Sequence, residues 1–243
     1  MKLRAENITK TFDDVRVIED VCIHLKEKEL ISLLGVSGVG KTTLFNILSG
    51  LLTPDSGRVY LDNQDVTGKE GIISYMLQKD LLLSHKTVID NVSLPLVLKG
   101  VSKKEARERV KEYFSLFGIS GTENKYPYQL SGGMKQRAAL LRTYMNSTQL
   151  VLLDEPFSAL DTINKTLMQD WYLKIMEELR LSTIFITHDI DEAILLSDRI
   201  YILKGNPGTI TEEIHIEHSK PRDGDFLVSR EFLEYKKMIK NKL

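Results

Sequence analysis

The feature that most constrains this chain is Gly35-Val36-Ser37-Gly38-Val39-Gly40-Lys41-Thr42, which stands directly behind the apolar run Leu30-Ile31-Ser32-Leu33-Leu34. Closely spaced glycines continue neither a strand nor a helix, so the chain turns sharply there. Lys41 to Leu48 reads as a helix closed by Gly50 and a Pro54-Asp55-Ser56-Gly57 turn, and Arg58 to Leu61 returns to a strand. Strand, glycine turn and helix in this order form a cradle for phosphate. The glycines let consecutive backbone N–H groups converge on phosphate oxygens, and the helix N-terminus adds its positive end. Lys41 is then the cation that reaches the terminal phosphates, and the Thr42 hydroxyl is a ligand for Mg²⁺.

A second site element follows from Leu150-Val151-Leu152-Leu153-Asp154-Glu155, an apolar strand that ends in two carboxylates. Open α/β sheets bind ligands at the C-terminal ends of their strands. Behind a phosphate loop, Asp154 is expected to hold Mg²⁺, directly or through water, and Glu155 to accept a proton from a water attacking the γ-phosphate.

Between and beyond these elements the pattern alternates. Val15 to Leu34 reads as strands, the last one buried. Ser102-Lys103-Lys104-Glu105 is a capping box, and Ala106, Val110, Tyr113, Phe114 and Phe117 share one helical face until Gly118. With the segment from Thr87 to Leu98 and a helix after Ser131, this middle region is expected to be a helical insertion over about 86–146. Strands are expected at Leu150 to Leu153, Thr183 to Thr187, Ile200 to Leu203 and Thr209 to Ile216. Helices are expected at roughly Ile163 to Arg180, after an Asp189 cap with Glu192 three residues on, and in an amphipathic tail over about 228–241. Such alternation favours α/β architecture with a mainly parallel sheet.

Composition narrows the classes. At 243 residues and 42% hydrophobic content the chain can bury a core as one domain spanning 1–243, and its net charge of −1 carries no nucleic-acid footprint. The lone Cys22 excludes a disulfide framework and is expected to be a small buried strand residue. No stretch of about 18 apolar residues occurs and the start lacks an apolar signal segment, so any membrane role is expected to come through a partner.

Leu130-Ser131-Gly132-Gly133-Met134-Lys135-Gln136-Arg137 repeats the anion-binding physics: a Ser cap and two glycines open a helix. Leu-Ser-Gly-Gly between a phosphate loop and an apolar-Asp-Glu strand resembles the signature of ATP-binding cassette (ABC) proteins. The resemblance runs from about Leu3 to Ile216. It implies a P-loop NTPase (RecA-like) core with an antiparallel β subdomain and an inserted α-helical subdomain. It also implies ATP and Mg²⁺ as cofactors. Gly35, Ser37, Gly38, Val39, Gly40, Lys41, Thr42 and Thr43 would hold the nucleotide, and Phe12 and Val17 would flank adenine, Phe12 standing where Tyr is commoner. Gln78 looks like the glutamine that reaches metal and attacking water. His188 looks like the γ-phosphate histidine, and Asp161, in Ser158-Ala159-Leu160-Asp161, looks like part of the dimer-interface loop.

What the resemblance implies functionally is a head-to-tail pair of cassettes, each nucleotide held between Lys41 of one copy and Ser131, Gly132 and Gly133 of the other. Integral membrane permease subunits would be driven by closure and opening of the pair, with an external substrate-binding protein as a further partner. The location would be the inner face of the cell membrane. The importers of nitrate, sulfonate, taurine and thiamine precursors are the subgroup it looks like, with the permease expected near Leu81-Leu82-Leu83 and the segment to Pro95. The rival readings are a non-transport cassette of the DNA-repair or translation type, a small-molecule kinase, and a non-enzymatic nucleotide-binding subunit.

Overall fold

Two long strands, β1 (Leu3–Phe12) and β2 (Val15–Leu25), open the fold as a hairpin, because Asp13 and Asp14 both take positive φ, the tight-turn geometry that matches strand twist. The computed structural model describes residues 1–146, 149–158 and 162–243. It divides into two compact units, Met1–Ile72 with Arg180–Leu243, and Ile73–Leu179.

In the first unit, β1 also pairs antiparallel with β4 (Ser56–Leu61), which pairs with the short β5 (Gln64–Asp65), giving the order β2-β1-β4-β5. Leu3, Ala5, Ile8, Val21, Ile23 and Leu25 are buried. Cys22 lies between two of them and so points the other way: it is exposed, which corrects the expectation of burial. Strand period 2 decides this, not the apolar character of the thiol. β3 (Leu30–Leu34) is buried at every position, as a run flanked on both faces must be, and leads into α1 (Lys41–Leu48).

The second unit begins with β6 (Ser74–Met76) and continues through three helices, α2 (Val88–Leu98), α3 (Lys103–Leu116) and α4 (Gly132–Met145). Ser102 Oγ accepts from the Glu105 N–H at 3.3 Å, and Ala106, Val110 and Phe114 form the buried face of α3. The Arg107 guanidinium forks onto Asp90 at 2.8 and 2.9 Å, tying α3 to α2. β7 (Leu150–Asp154) runs parallel to β6, and α5 (Thr162–Leu179) closes the unit.

Back in the first unit, β8 (Ser182–Thr187) and the later β9 (Arg199–Lys204) both pair parallel with β3, α6 (Ile190–Leu196) lying between them in the chain, and β10 (Thr209–His215) pairs antiparallel with β9. Two tail helices, α7 (Gly224–Leu227) and α8 (Arg230–Lys242), follow. Phe226, Phe232 and Ile239 pack with Ala193 and Ile194 of α6 in one buried cluster. Arg222 holds the tail to α6: its buried guanidinium donates to the carbonyls of Ile194 and Ser197 at 2.6 Å and of His218 at 2.7 Å. Among the described residues no helix is long and apolar enough to cross a membrane.

A buried polar knot fastens β2, β3, β9 and β10. Arg199, 2% exposed, forks onto Glu29 at 2.6 and 2.9 Å and donates to Glu213 at 2.6 Å and to His24 Nε2 at 2.8 Å. A guanidinium only donates, so His24 Nε2 must carry the lone pair and the ring must be neutral. Burial, seconded by the Arg199 charge, accordingly lowers the His24 pKa. Burial alone would raise the Glu29 and Glu213 carboxyls, but the Arg199 hydrogen bonds and charge outweigh it and hold both below their usual range. All three groups bind protons more readily in the unfolded chain, so each contributes stability that is complete at neutral pH and is lost on acidification. Thermal melts from pH 8 to pH 4 are expected to show a decline beginning below about 6.5, where unfolded His24 protonates, and steepening below about 4.5, where the carboxyls follow. A flat profile across that window contradicts this account of the knot.

Candidate nucleotide site

The first unit carries the glycine loop. Gly38 and Gly40 take φ values of 83° and 106°, a left-handed backbone that side chains resist, and a Cβ on Gly40 would meet Ile18 Cγ2 at 2.5 Å. These constraints curl the loop so that it ends on the first turn of α1. Gly40 is the N-cap residue, with no side-chain cap and no acidic residue in the first turn. The helix therefore presents its positive end without a carboxylate of its own. Lys41 is buried to 7% and its ammonium donates to the carbonyls of Gly35 and Val36 at 2.7 and 2.9 Å, so the cation lies along the loop. Ser37 and Thr42 are exposed, Thr43 half-buried and Val39 buried.

Phe12 ends β1 at 43% exposure with the Lys10 ammonium 5.5 Å from its ring centre. An aromatic ring left this open is not a core residue. Val17 is half-buried, its carbonyl accepting from the Gly208 N–H at 2.9 Å. His188 is exposed and follows β8 directly. The turn beneath it is fixed by Thr187, whose hydroxyl donates to Glu192 at 2.5 Å and accepts from the Asp189 N–H at 3.0 Å, while Asp189 caps α6. Sequence spacing identified the Asp189 cap but not the Thr187 relay, which depends on the burial of Glu192.

The second unit carries the carboxylates. Asp154, 8% exposed, closes β7 and accepts from Tyr75 Oη at 3.1 Å. Burial, then the Asp154 charge, raises the Tyr75 pKa, so the phenol stays a donor. Glu155 has φ 46°, an unfavourable left-handed conformation for a non-glycine residue that swings its side chain out of strand geometry. Gln78 Nε2 donates to Glu155 Oε2 at 3.1 Å and to Ser158 Oγ at 3.4 Å, and Ser158 Oγ returns a bond to the Glu155 carbonyl at 3.0 Å. The sequence thus predicts Gln78, Asp154 and Glu155, and the structure gathers them within one unit. Tyr75 was missed because its meeting with Asp154 depends on the parallel register Tyr75↔Leu152, for which no local signal exists.

Ser131 caps α4, its Oγ accepting from the Met134 N–H at 3.3 Å, and no acid stands in the first turn. A Cβ on Gly132 or Gly133 would meet nothing within 4 Å, so the chain's own packing does not require glycine there. Asp161 lies outside the described residues.

These donors suit a polyphosphate: a glycine loop, a helix start free of its own carboxylate, and a lysine. In each unit one hard oxygen group of the kind a small dication takes is present, the Thr42 hydroxyl in the first and the Asp154 carboxylate in the second. Among the described residues no group of three or more His, Cys, Asp or Glu gathers that could hold a metal ion by itself.

A family model described as ABC transporter matches residues 18–158. The chain belongs to the ABC transporter family. An uncharacterized ABC transporter ATP-binding protein of Methanocaldococcus jannaschii is 41% identical to this cassette over 99% of it and 91% of the relative. A formylaminopyrimidine import ATP-binding protein of Halalkalibacterium halodurans is 45% identical over 79% of the cassette and 74% of the relative. Among solved structures, a dimeric post-hydrolysis ATP-binding cassette bound to ADP and Pi superposes with a TM-score of 0.75 at 30% identity, covering 89% of this chain and 100% of that one. The cassette has the family's α/β P-loop fold and is an ATP-binding, ATP-hydrolysing subunit.

Proposed function

We propose that this cassette is the motor of an importer, working as one nucleotide-binding domain over residues 1–243 with a helical insertion at about 86–146 and a tail helix at about 228–241. The observation that carries the reading is the glycine loop, with Lys41 lying along it and the α1 N-terminus left without an acid. Gly35, Ser37, Gly38, Val39, Gly40, Lys41, Thr42 and Thr43 wrap the phosphates of ATP, Phe12 stacks on adenine and Val17 flanks it. Thr42, Gln78 and Asp154 are the residues that hold Mg²⁺, which when bound screens phosphate charge. Glu155 takes the proton of the attacking water, Gln78 holds the Glu155 carboxylate in place, and Lys41 and His188 face the charge that builds on the transferred group.

Ser131, Gly132 and Gly133 receive the terminal phosphate of a nucleotide on a second copy, with Asp161 at the shared boundary. The relative solved as a dimer supports this pairing. Membrane permease subunits are the mechanical load, holding the cassette against the membrane, and a substrate-binding protein delivers cargo to them. Leu81, 52% exposed, and half-buried Leu82 and Leu83 suit a permease contact. Buried Asn91 holds that loop through Leu83 N at 2.6 Å, and Arg142 binds the Leu81 and Asp80 carbonyls at 2.7 and 2.6 Å, so a load there is borne by α2 and α4. The nitrate, sulfonate, taurine and thiamine-precursor importers are the subgroup we assign, in keeping with the formylaminopyrimidine-import relative.

The test is equilibrium binding of ATP with magnesium to wild type and Lys41→Ala, alongside phosphate release. Removing one charged donor is expected to weaken binding roughly 10- to 100-fold and to reduce turnover at least as much. A folded Lys41→Ala chain that binds and hydrolyses as wild type does sinks the reading.

A further inference from the structure

The turn after β7 is held from two sides. Gln78 and Ser158 hold Glu155 on one; on the other, Gln136 in the second turn of α4 donates its Nε2 to the Pro156 carbonyl at 3.0 Å. Pro156 follows Glu155 and lacks an N–H, so its carbonyl is the one backbone hydrogen-bonding group by which the turn can be gripped at that residue.

A carbonyl only accepts, which fixes the Gln136 amide: nitrogen faces Pro156 and Oε1 points away. Among the described residues Gln136 Oε1 has no protein partner although it is buried, and the same holds for Trp171 Nε1. Both residues line one small cavity of about 20 Å³, shared with Met76, Leu153, Phe157 and Tyr172. Trp171 is itself held by the Arg137 guanidinium, 4.5 Å above its ring. Two consecutive residues of α4 thus anchor to the segment after Glu155 and to α5.

We propose that Gln136 is a positioning residue for hydrolysis: through the Pro156 carbonyl it fixes the backbone turn that carries Glu155, and so links the Ser131 end of α4 to the placement of the base. This rests on Glu155 being the base, as assigned above. Gln136 touches neither water nor phosphate in this scheme; it acts through the Pro156 carbonyl.

The experiment measures nucleotide affinity and single-turnover hydrolysis in the full chain for wild type, Gln136→Leu and Gln136→Glu. Gln136→Leu is expected to bind ATP within about twofold of wild type and to hydrolyse it roughly 10-fold or more slowly. Gln136→Glu places a carboxylate, partly buried, against a carbonyl, a setting that favours the protonated form; once protonated it regains a donor, so its rate relative to wild type should rise several-fold from pH 8 to pH 5. A side chain that only supports the fold produces no such recovery. A wild-type rate in Gln136→Leu, a flat pH ratio for Gln136→Glu, or affinity lost in step with rate overturns the proposal. Failure of the base assignment is distinguishable, because Glu155→Gln would then turn over normally while the Gln136 variants are read separately.

Discussion

Replacing Glu155 with Gln is expected to lower ATP turnover by roughly 10²- to 10⁴-fold while leaving nucleotide affinity near that of wild type. The amide keeps the size of the side chain and can still pair with Gln78 after a flip, so the turn held by Ser158 and Gln136 stays in place. What is lost is the ability to accept a proton. Binding should be untouched because, in the proposed site, the loop from Gly35 to Thr42 and not Glu155 carries the phosphates. With hydrolysis blocked and ATP retained, the paired form should accumulate, visible as a shift to twice the monomer mass in size-exclusion chromatography with light scattering. Turnover at the wild-type rate would remove Glu155 from its role; loss of binding together with turnover would instead place it in the phosphate cradle.

Replacing Arg199 with Met is expected to destabilise the fold by about 3–5 kcal/mol. Met approximates the length of the aliphatic stem but leaves the Glu29 carboxylate, 9% exposed, without the fork that neutralises it. Glu213 and the His24 ring lose the same donor. For a chain of this size the melting temperature should drop on the order of 10 °C. Pairing Arg199→Met with Glu29→Gln should recover part of the loss, since the abandoned negative charge is the main penalty. Chemical denaturation of the two single variants and the double variant measures the coupling; a single-variant loss below about 1 kcal/mol would show that the knot contributes little.

Much of this architecture is legible in the sequence wherever a pattern is local. The run Leu30 to Leu34 followed by glycines gives β3, the loop and α1; the Ser102 box and the Asp189 cap give helix starts; Leu150 to Asp154 gives a buried strand that ends at its carboxylates. Most of what the sequence does not disclose depends on partners distant in the chain. β1 and β6 went unread: β6 is held by β7 far along the sequence, and β1, though paired with the adjacent β2, carries the polar stretches Glu6-Asn7 and Thr9-Lys10-Thr11 that hide its alternation. Cys22 was misread because its chemistry was weighed above its place in the alternation. Tyr75 and Gln136 meet Asp154 and Pro156 across 79 and 20 residues, and neither separation leaves a motif.

The two buried arginines of the first unit differ in what receives their protons. Arg199 relies on carboxylates and an imidazole, whereas Arg222 is satisfied by main-chain oxygens, which do not titrate. Souring the surroundings therefore loosens the joint of β2, β3, β9 and β10 while the brace on α6 keeps its full grip. Within the first unit, acid thus acts on the fastening of β9 and β10 and spares the clasp that seats the tail against α6.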